Sequence, residues 1–370
     1  MKVLHYLDTL GRGGAEAQAL DVCRNASRFG IDLTLVAGGG GGFEDEFRAT
    51  GVDYIRLDRK LPIDPFLSLQ IRKIVKERDI AIVHGYQPVD GLHLYLATRG
   101  MPELKTVLSF QGFIQDRKNR EAARFLIPRM NANIVVSRGL QKWLKETDKL
   151  DTDRNFTVVY NGADPERLRP AGKSLKAELG LPQGYRLIGM VGNFYRDPRK
   201  DQKTVCRALG KVLSEFENVH CIFAGGTEPG AEGKLAECQR ICNESGIADR
   251  VHFIGARSDV PDILSELDIF IFSSLHEGLP LAVSEAMLSG VPMIVSDIEP
   301  LLEATDNGRV AGVFLVGGVD ALAEEIRSFL SDDNLRTGYR REALAFAGDN
   351  FSIDAHLTKL SALYRSLLDG

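Results

Sequence analysis

Two carboxylates eight residues apart, Glu277 and Glu285, bracket a segment, His276-Glu-Gly-Leu-Pro-Leu281, that follows the apolar run Ile269–Ser273. Pro280 stands where a first helical residue would, because its fixed φ suits that position and the N–H it lacks has no partner there anyway. A helix opening here aims the backbone N–H groups near Gly278, Leu279 and Leu281 past the end of the preceding strand, which is a site for a phosphate. Glu277, before the turn, and Glu285, inside the helix, then reach one ligand lying across the helix start, Glu285 being suited to ribose hydroxyls. On spacing alone, a helix-start signal followed by a surface acid accounts for the same residues.

A second loop of this kind, Gly11-Arg-Gly-Gly-Ala-Glu16, follows the run Val3–Leu7 and opens a helical pattern. It misses the G-x-G-x-x-G spacing of dinucleotide loops because Glu16 occupies the third glycine position. A diphosphate contact and a plain tight turn both remain open for it; NAD binding fits less well. The only D-x-D, Asp151-Thr-Asp153, follows a charged helix and reads as solvated loop. Five cysteines form no C-x-x-C pair and meet no His-x-His, so no metal site is expected, and an odd number without a framework implies a reducing cytoplasm.

The elements that position these groups alternate strand and helix throughout. Candidate strands are Val3–Leu7, Leu33–Val36, Tyr54–Leu57, Ala81–Val83, Lys105–Ser109, Ile134–Val136 and Thr157–Tyr160, then Leu187–Val191, His220–Ala224, Val251–Ile254, Ile269–Ser273, Met293–Ser296 and Gly312–Leu315. Helical patterns between them include Ala15–Phe29, Phe66–Glu77, Gly91–Thr98, Glu121–Asn131, Gln202–Phe216 and Leu281–Ser289. This spacing implies parallel sheets covered on both faces: an α/β protein with two doubly wound, Rossmann-like domains. The turn-rich stretch from Asn161 to Pro170 places a linker at 162–175, between domains 1–165 and 175–350. Ser352 is a candidate cap for a C-terminal helix within 351–370, marked by Leu357, Leu360, Leu363, Tyr364 and Leu367.

A net charge of −5 argues against nucleic acid as the main partner. Residues 1–170 nevertheless hold 26 basic against 22 acidic side chains, and the remainder 20 against 29. A basic first half suits an anionic acceptor or a membrane surface as well as it suits solvated helix faces. The cluster Arg117-Lys-Asn-Arg120, with Arg124 and Arg129, allows the same two readings. No run approaches the ~20 apolar residues of a membrane span, so a cytoplasmic protein is expected, with peripheral contact at the inner face of the membrane left open.

The Glu277–Glu285 stretch resembles the E-x7-E motif of retaining nucleotide-sugar glycosyltransferases of family 4, which have the GT-B fold of two Rossmann-like domains facing a cleft. Gly13-Gly14-Ala15-Glu16 resembles the family's first loop, and Val135-Val136-Ser137 with Asn161-Gly-Ala-Asp164 the end of its N-terminal domain. Met190-Val-Gly192 followed by Arg199-Lys200-Asp201 resembles its phosphate clamp; Phe223-Ala-Gly-Gly226, Val251-His-Phe-Ile-Gly255 and Ser289-Gly-Val-Pro292 follow in family order.

The resemblance implies Glu277 on the donor sugar, Lys200 and Arg196 or Arg199 on the departing diphosphate, and Glu285 on ribose. It implies further donor contacts at Gly13, Gly14, Asn193, Gly225, Ile254, Gly255, His276, Gly278, Leu279, Pro280 and Leu281. Gln111 and His84 fall on the acceptor side, and the C-terminal helix packs back toward the N-terminal domain. No cofactor and no metal are then required: a UDP- or GDP-linked sugar is the substrate, and a glycan, lipid-linked or small-molecule hydroxyl the acceptor. Two positions depart from the family: Asn193 replaces the usual basic residue after the clamp glycine, and Gln111 replaces the usual His. The rivals are a GT-B nucleotide-sugar epimerase and a non-catalytic nucleotide-sugar-binding protein.

Overall fold

The short β-branched runs form thirteen strands, all paired in parallel, in a computed structural model that describes residues 1–114 and 116–370. Two compact units result. The first comprises residues 1–162 and 350–370, the second residues 163–349.

The first unit holds β1 (Lys2–Leu7), β2 (Asp32–Ala37), β3 (Asp53–Arg56), β4 (Ile82–Gly85), β5 (Lys105–Phe110), β6 (Ala132–Val135) and β7 (Phe156–Val158), in the sheet order β3-β2-β1-β4-β5-β6-β7. The second holds β8 (Arg186–Val191), β9 (Val219–Ala224), β10 (Val251–Gly255), β11 (Ile269–Phe272), β12 (Met293–Ser296) and β13 (Gly312–Phe314), in the order β10-β9-β8-β11-β12-β13. Central strands such as Ile269-Phe-Ile-Phe272 are buried residue for residue, because helices cover both faces of a parallel sheet. The strand order reverses between β1 and β4 and again between β8 and β11. At such a reversal the loops beyond the strand ends part and leave a crevice.

Right-handed crossovers assign the helices of the first unit to faces. Pro65–Glu77, Pro88–Thr98 and Arg117–Leu126 lie side by side on one face. Gly14–Asn25 covers the other and packs against the C-terminal helix Ile353–Asp369. Ser352 caps that helix, its hydroxyl accepting from the Ala355 N–H at 3.2 Å. Its inward residues Ile353, Leu357, Leu360 and Tyr364 complete the core around Val3, Leu20 and Ile82. Some 360 residues of chain separate this helix from β1, yet Tyr364 Oη lies 2.9 Å from His5 Nε2 and 2.5 Å from His84 Nδ1.

Three differences from the sequence reading have local causes. The helix Arg117–Leu126 starts ahead of Glu121 because the Asp116 side chain accepts from the Asn119 N–H at 2.9 Å. The helix Asp333–Phe351 left no clear periodicity, since Gly338, Gly348 and three alanines dilute its apolar stripe. All but the first residue of the stretch expected as a linker at 162–175 belongs to the second unit: the N–H groups of Gly172 and Lys173 donate to Asp262 Oδ1 at 2.8 and 3.0 Å.

Burial holds three histidines of the first unit neutral, pushing His5 down to about 3, His356 to about 4, and His84 well below the ordinary 6.5. Each takes a proton in the unfolded chain below 6.5 but not in the folded unit until far lower pH. Their share of stability is therefore complete above 6.5 and drains away as pH falls toward 4. Urea unfolding of the chain is expected to weaken by up to about 4 kcal/mol per pH unit across this window. A stability that stays level from about pH 7 to about pH 5 contradicts the assignment.

Candidate functional site

At the reversal between β8 and β11, two loops leave adjacent strand ends and are stitched to each other. The Leu275 N–H donates to the Arg199 carbonyl at 2.7 Å and the Asp201 N–H to the Ser273 carbonyl at 3.1 Å, so Lys200 and Ser274 form an antiparallel bridge. Ser296, at the end of β12, braces the same turn: its hydroxyl donates to the Ser274 carbonyl at 2.8 Å and accepts from the Ser274 N–H at 3.0 Å. Asp201 caps the helix Gln202–Val212 by accepting from the Thr204 N–H. Lys200 is thus fixed between a stitched turn and a capped helix.

This frame places Lys200 Nζ 2.5 Å from Glu277 Oε1 and 3.9 Å above the Phe272 ring, with Ser274 Oγ 2.7 Å from the same carboxylate oxygen. Both side chains of the ion pair are about nine-tenths buried. Burial pushes the Lys200 ammonium below its usual range, and the Glu277 carboxylate opposes that shift. Removing two charges from water costs several kcal/mol per ion, which a lone pair seldom recovers. A buried pair at a strand-order reversal therefore points to a ligand.

Glu285 is also buried, on the helix Leu281–Leu288, and accepts from Arg167 Nη2 at 2.8 Å. Pro280 is the N-cap of this helix, one position earlier than its expected place as first helical residue, and its own side chain makes no capping hydrogen bond. Leu279, Pro280 and Leu281 are buried beside it, and Gly278 precedes them. Below Glu277, His276 Nε2 lies 3.1 Å from Asp197, which also binds Arg199 Nη2 at 3.0 Å. Burial disfavours the Asp197 anion, but Arg199 and then His276 outweigh it and hold this carboxyl below the ordinary range. Arg199 stacks on Tyr195, 4.8 Å from its centroid.

The other expected donor contacts line the same strand ends. Gly225 lies so close to the β8 turn that a Cβ there would sit 2.3 Å from the Gly192 carbonyl oxygen. Asn193 is engaged with the protein itself, its Oδ1 accepting from the Gly226 N–H at 2.8 Å. Ile254 and Gly255 fall where the β10–β9 register shifts, and the Gly255 carbonyl accepts from the Gly225 N–H at 2.8 Å. Arg196 is exposed; its backbone N–H donates to Glu228. Of the three cations after β8, only Lys200 meets Glu277.

In the first unit, Gly13 is the N-cap of the helix that Gly14 opens, again without a capping side chain. Burial raises the Glu16 carboxyl above its ordinary value. A run of five glycines, 38–42, packs under this loop; a Cβ on Gly41 would lie 2.1 Å from the Leu10 carbonyl carbon. Gln111 Oε1 accepts from Asn161 Nδ2 at 3.0 Å. His84 lies inside the unit, with Tyr364 on one nitrogen and Ser109 Oγ 2.6 Å from the other.

The basic cluster is largely engaged as well, Arg120 with the buried Asp148 at 2.7 Å and Arg124 with Glu121 at 2.8 Å. Asp153 of the D-x-D pairs with Lys145 at 2.6 Å on the surface. Among the described residues, no three His, Cys, Asp or Glu side chains are grouped to hold a metal ion. The sequence reading missed Arg167, Ser274 and Asp197. Arg167 sat in a stretch taken for linker, and its approach to Glu285 spans 118 residues.

Two family models match the chain in succession: Glycosyltransferase Family 4 over residues 12–167 and Glycosyl transferases group 1 over residues 173–345. A lipopolysaccharide core biosynthesis mannosyltransferase, LpsB of Rhizobium meliloti, is 26% identical over 84% of this chain and 87% of its own length. An N-acetyl-alpha-D-glucosaminyl L-malate synthase of Bacillus anthracis is 23% identical over 83% of this chain and 80% of that protein. The crystal structure of Anabaena HepE in complex with UDP superimposes with a TM-score of 0.85 at 18% identity, covering 99% of this chain and 100% of that one. With its 7- and 6-stranded parallel sheets, the chain belongs to the group 1 glycosyltransferases of GT-B fold.

Proposed function

We propose that the chain is a retaining, metal-independent transferase that moves a sugar from a UDP- or GDP-linked donor to a hydroxyl of a glycan, lipid-linked or small-molecule acceptor. The observation that carries this is the buried Lys200–Glu277 pair beside a helix start at the ends of β8 and β11. Breaking a glycosyl–phosphate bond builds negative charge on the leaving diphosphate. A desolvated ammonium and helix-start amides stabilise that charge without reorganising, as oxyanion sites do. Lys200 supplies the neutralisation that a divalent ion gives elsewhere.

Glu277 is suited to hold the donor sugar's hydroxyls while it keeps Lys200 in place. A carboxylate bound by an ammonium and a hydroxyl is a weak nucleophile, which favours same-face attack over a covalent glycosyl-enzyme. In that route a donor phosphate oxygen takes the acceptor's proton. Gln111 has no basic atom, and both nitrogens of His84 are engaged in the core, so neither side chain competes for this role. Glu285, with Arg167 beside it, fits ribose hydroxyls. The names of the relatives support the class of reaction: one is a mannosyltransferase, another conjugates a glucosaminyl group to malate, and HepE was crystallised with UDP.

Replacing Lys200 by Ala is expected to lower turnover by roughly 10²–10³, or about 2.7–4 kcal/mol, the size of a lost oxyanion contact. Because the change also strands Glu277, turnover is to be read on protein whose folding is verified by circular dichroism, with Lys200→Arg as companion. Near-wild-type turnover in Lys200→Ala removes this residue from the reaction. Glu285→Gln is expected to raise the donor KM about tenfold or more with kcat little changed, since ribose is held alike in ground and transition states. A fall confined to kcat contradicts that role. Incubation with donor alone should yield no epimer; an epimer would transfer the site to isomerase chemistry.

A further inference from the structure

The helical face of the first unit ends in an apolar tip that the chain leaves uncovered. Leu61 and Ile63, in the turn after β3, are each 51% exposed, and Phe66 and Leu69, in the first turns of the helix Pro65–Glu77, are 75% and 61% exposed. The tip is firmly built. Pro62 and Pro65 restrict its backbone, and the Asp64 side chain accepts from the N–H groups of Phe66 and Leu67 at 3.0 and 3.2 Å. The Asp64 N–H in turn donates to His93 Nε2 at 2.9 Å. The same helix turns Leu67, Ile71, Ile74 and Val75 into the core, so the outward apolar residues are surplus to its packing. Leu96 and Phe125, on the two neighbouring helices, continue the exposed apolar surface.

Positive charge surrounds this tip. From Arg59 to Lys76 the chain holds five cations and one acid, Asp64, which is buried as the helix cap. Lys60 and Lys76 are exposed, and the exposed Lys73 approaches Glu77 only to 3.6 Å. Arg72 donates to the carbonyls of Ala97 and Arg99 at 2.9 and 2.8 Å, and Arg129 to that of Phe125 at 2.6 Å. Neutral acceptors leave both guanidinium charges uncancelled. Arg59 is paired with Asp8, and Lys73 with Glu77 across one helical turn.

We propose that this tip seats the protein on an anionic lipid bilayer. Leu61, Ile63, Phe66 and Leu69 enter the headgroup–acyl boundary while Lys60, Lys73 and Lys76 meet lipid phosphates. Aromatic and aliphatic residues on one side of a helix with lysines flanking them lie in an interface plane, and each cation near an anionic surface adds about 1 kcal/mol. A second copy of the same patch is disfavoured, because facing it would bring like charges together. The proposal is independent of the transferase chemistry, since its readout is binding.

The test is co-sedimentation of the whole chain with vesicles of phosphatidylglycerol and phosphatidylcholine, against phosphatidylcholine alone. Binding is expected to the anionic vesicles only and to weaken as salt rises. Phe66→Ser with Leu69→Ser should weaken it at least about tenfold, since part of two large apolar side chains returns to water. The triple change of Lys60, Lys73 and Lys76 to Gln should weaken it about a hundredfold, from three contributions of about 1 kcal/mol. All five positions are exposed, so unaltered thermal unfolding is expected and verifies the fold of each variant. Equal binding to both vesicle types, no binding to either, or variants that bind like the parent overturn the proposal. So does a concentration-dependent dimer that Phe66→Ser with Leu69→Ser dissolves, which would give the tip to a second copy.

Discussion

A lysine ammonium and a glutamate carboxylate share one buried corner of the second unit, and the loops around them are arranged to keep them there. Lys200 and Glu277 are 77 residues apart, yet they meet because a two-residue antiparallel bridge ties their loops at the ends of neighbouring strands. Ser274 and Ser296 satisfy the polar groups of that bridge, and Phe272 offers the ammonium its ring face. Each device lowers the cost of burying charge without giving the ammonium a second full anion. The result is a cation held ready in a place where water screens it little, which is what a leaving diphosphate requires.

Close backbone approach is the second constraint, and it recurs in both units. Where strand order reverses, the first loop must pass near its neighbour for the crevice to form. In the second unit Gly225 nearly touches the turn after β8, and in the first Gly41 lies against the turn after β1. A side chain at either point would collide with backbone, which has no rotamer to yield. The glycines therefore set how narrow the loop ends can be, and the charged groups inherit that spacing.

The two faces of the first sheet are specialised. One is closed by the C-terminal helix, whose Tyr364 hydroxyl meets one nitrogen of each of two buried histidines, the other nitrogens facing Tyr86 and Ser109. The other is covered by helices whose inward residues suffice for the core and whose outward residues, Phe66 and Leu69 foremost, contribute nothing to it. A helix with apolar residues on both sides has a second surface to satisfy, and lysines beside that surface select what satisfies it.

Strand positions, the paired α/β arrays and the Glu277–Glu285 segment were legible in the chain because each is local. β-branched runs mark strands, turn formers mark breaks, and a Pro after a Glu-Gly-Leu marks a helix start. The cations Arg196, Arg199 and Lys200 were legible as a group, but nothing in their spacing said which one would face Glu277. That choice came from the bridge between two loops, as did the diversion of Arg199 and His276 to Asp197. His84 looked like any polar residue at a strand end; only the packing of a helix from the far end of the chain put Tyr364 on its ring. Arg167 was hidden in a stretch read as linker until the second unit drew that stretch in and set it against Glu285. Sequence periodicity decides which residues can share an element, since it acts over a few positions. Which charges become partners is decided by strand order, since only folding brings distant loops to one edge.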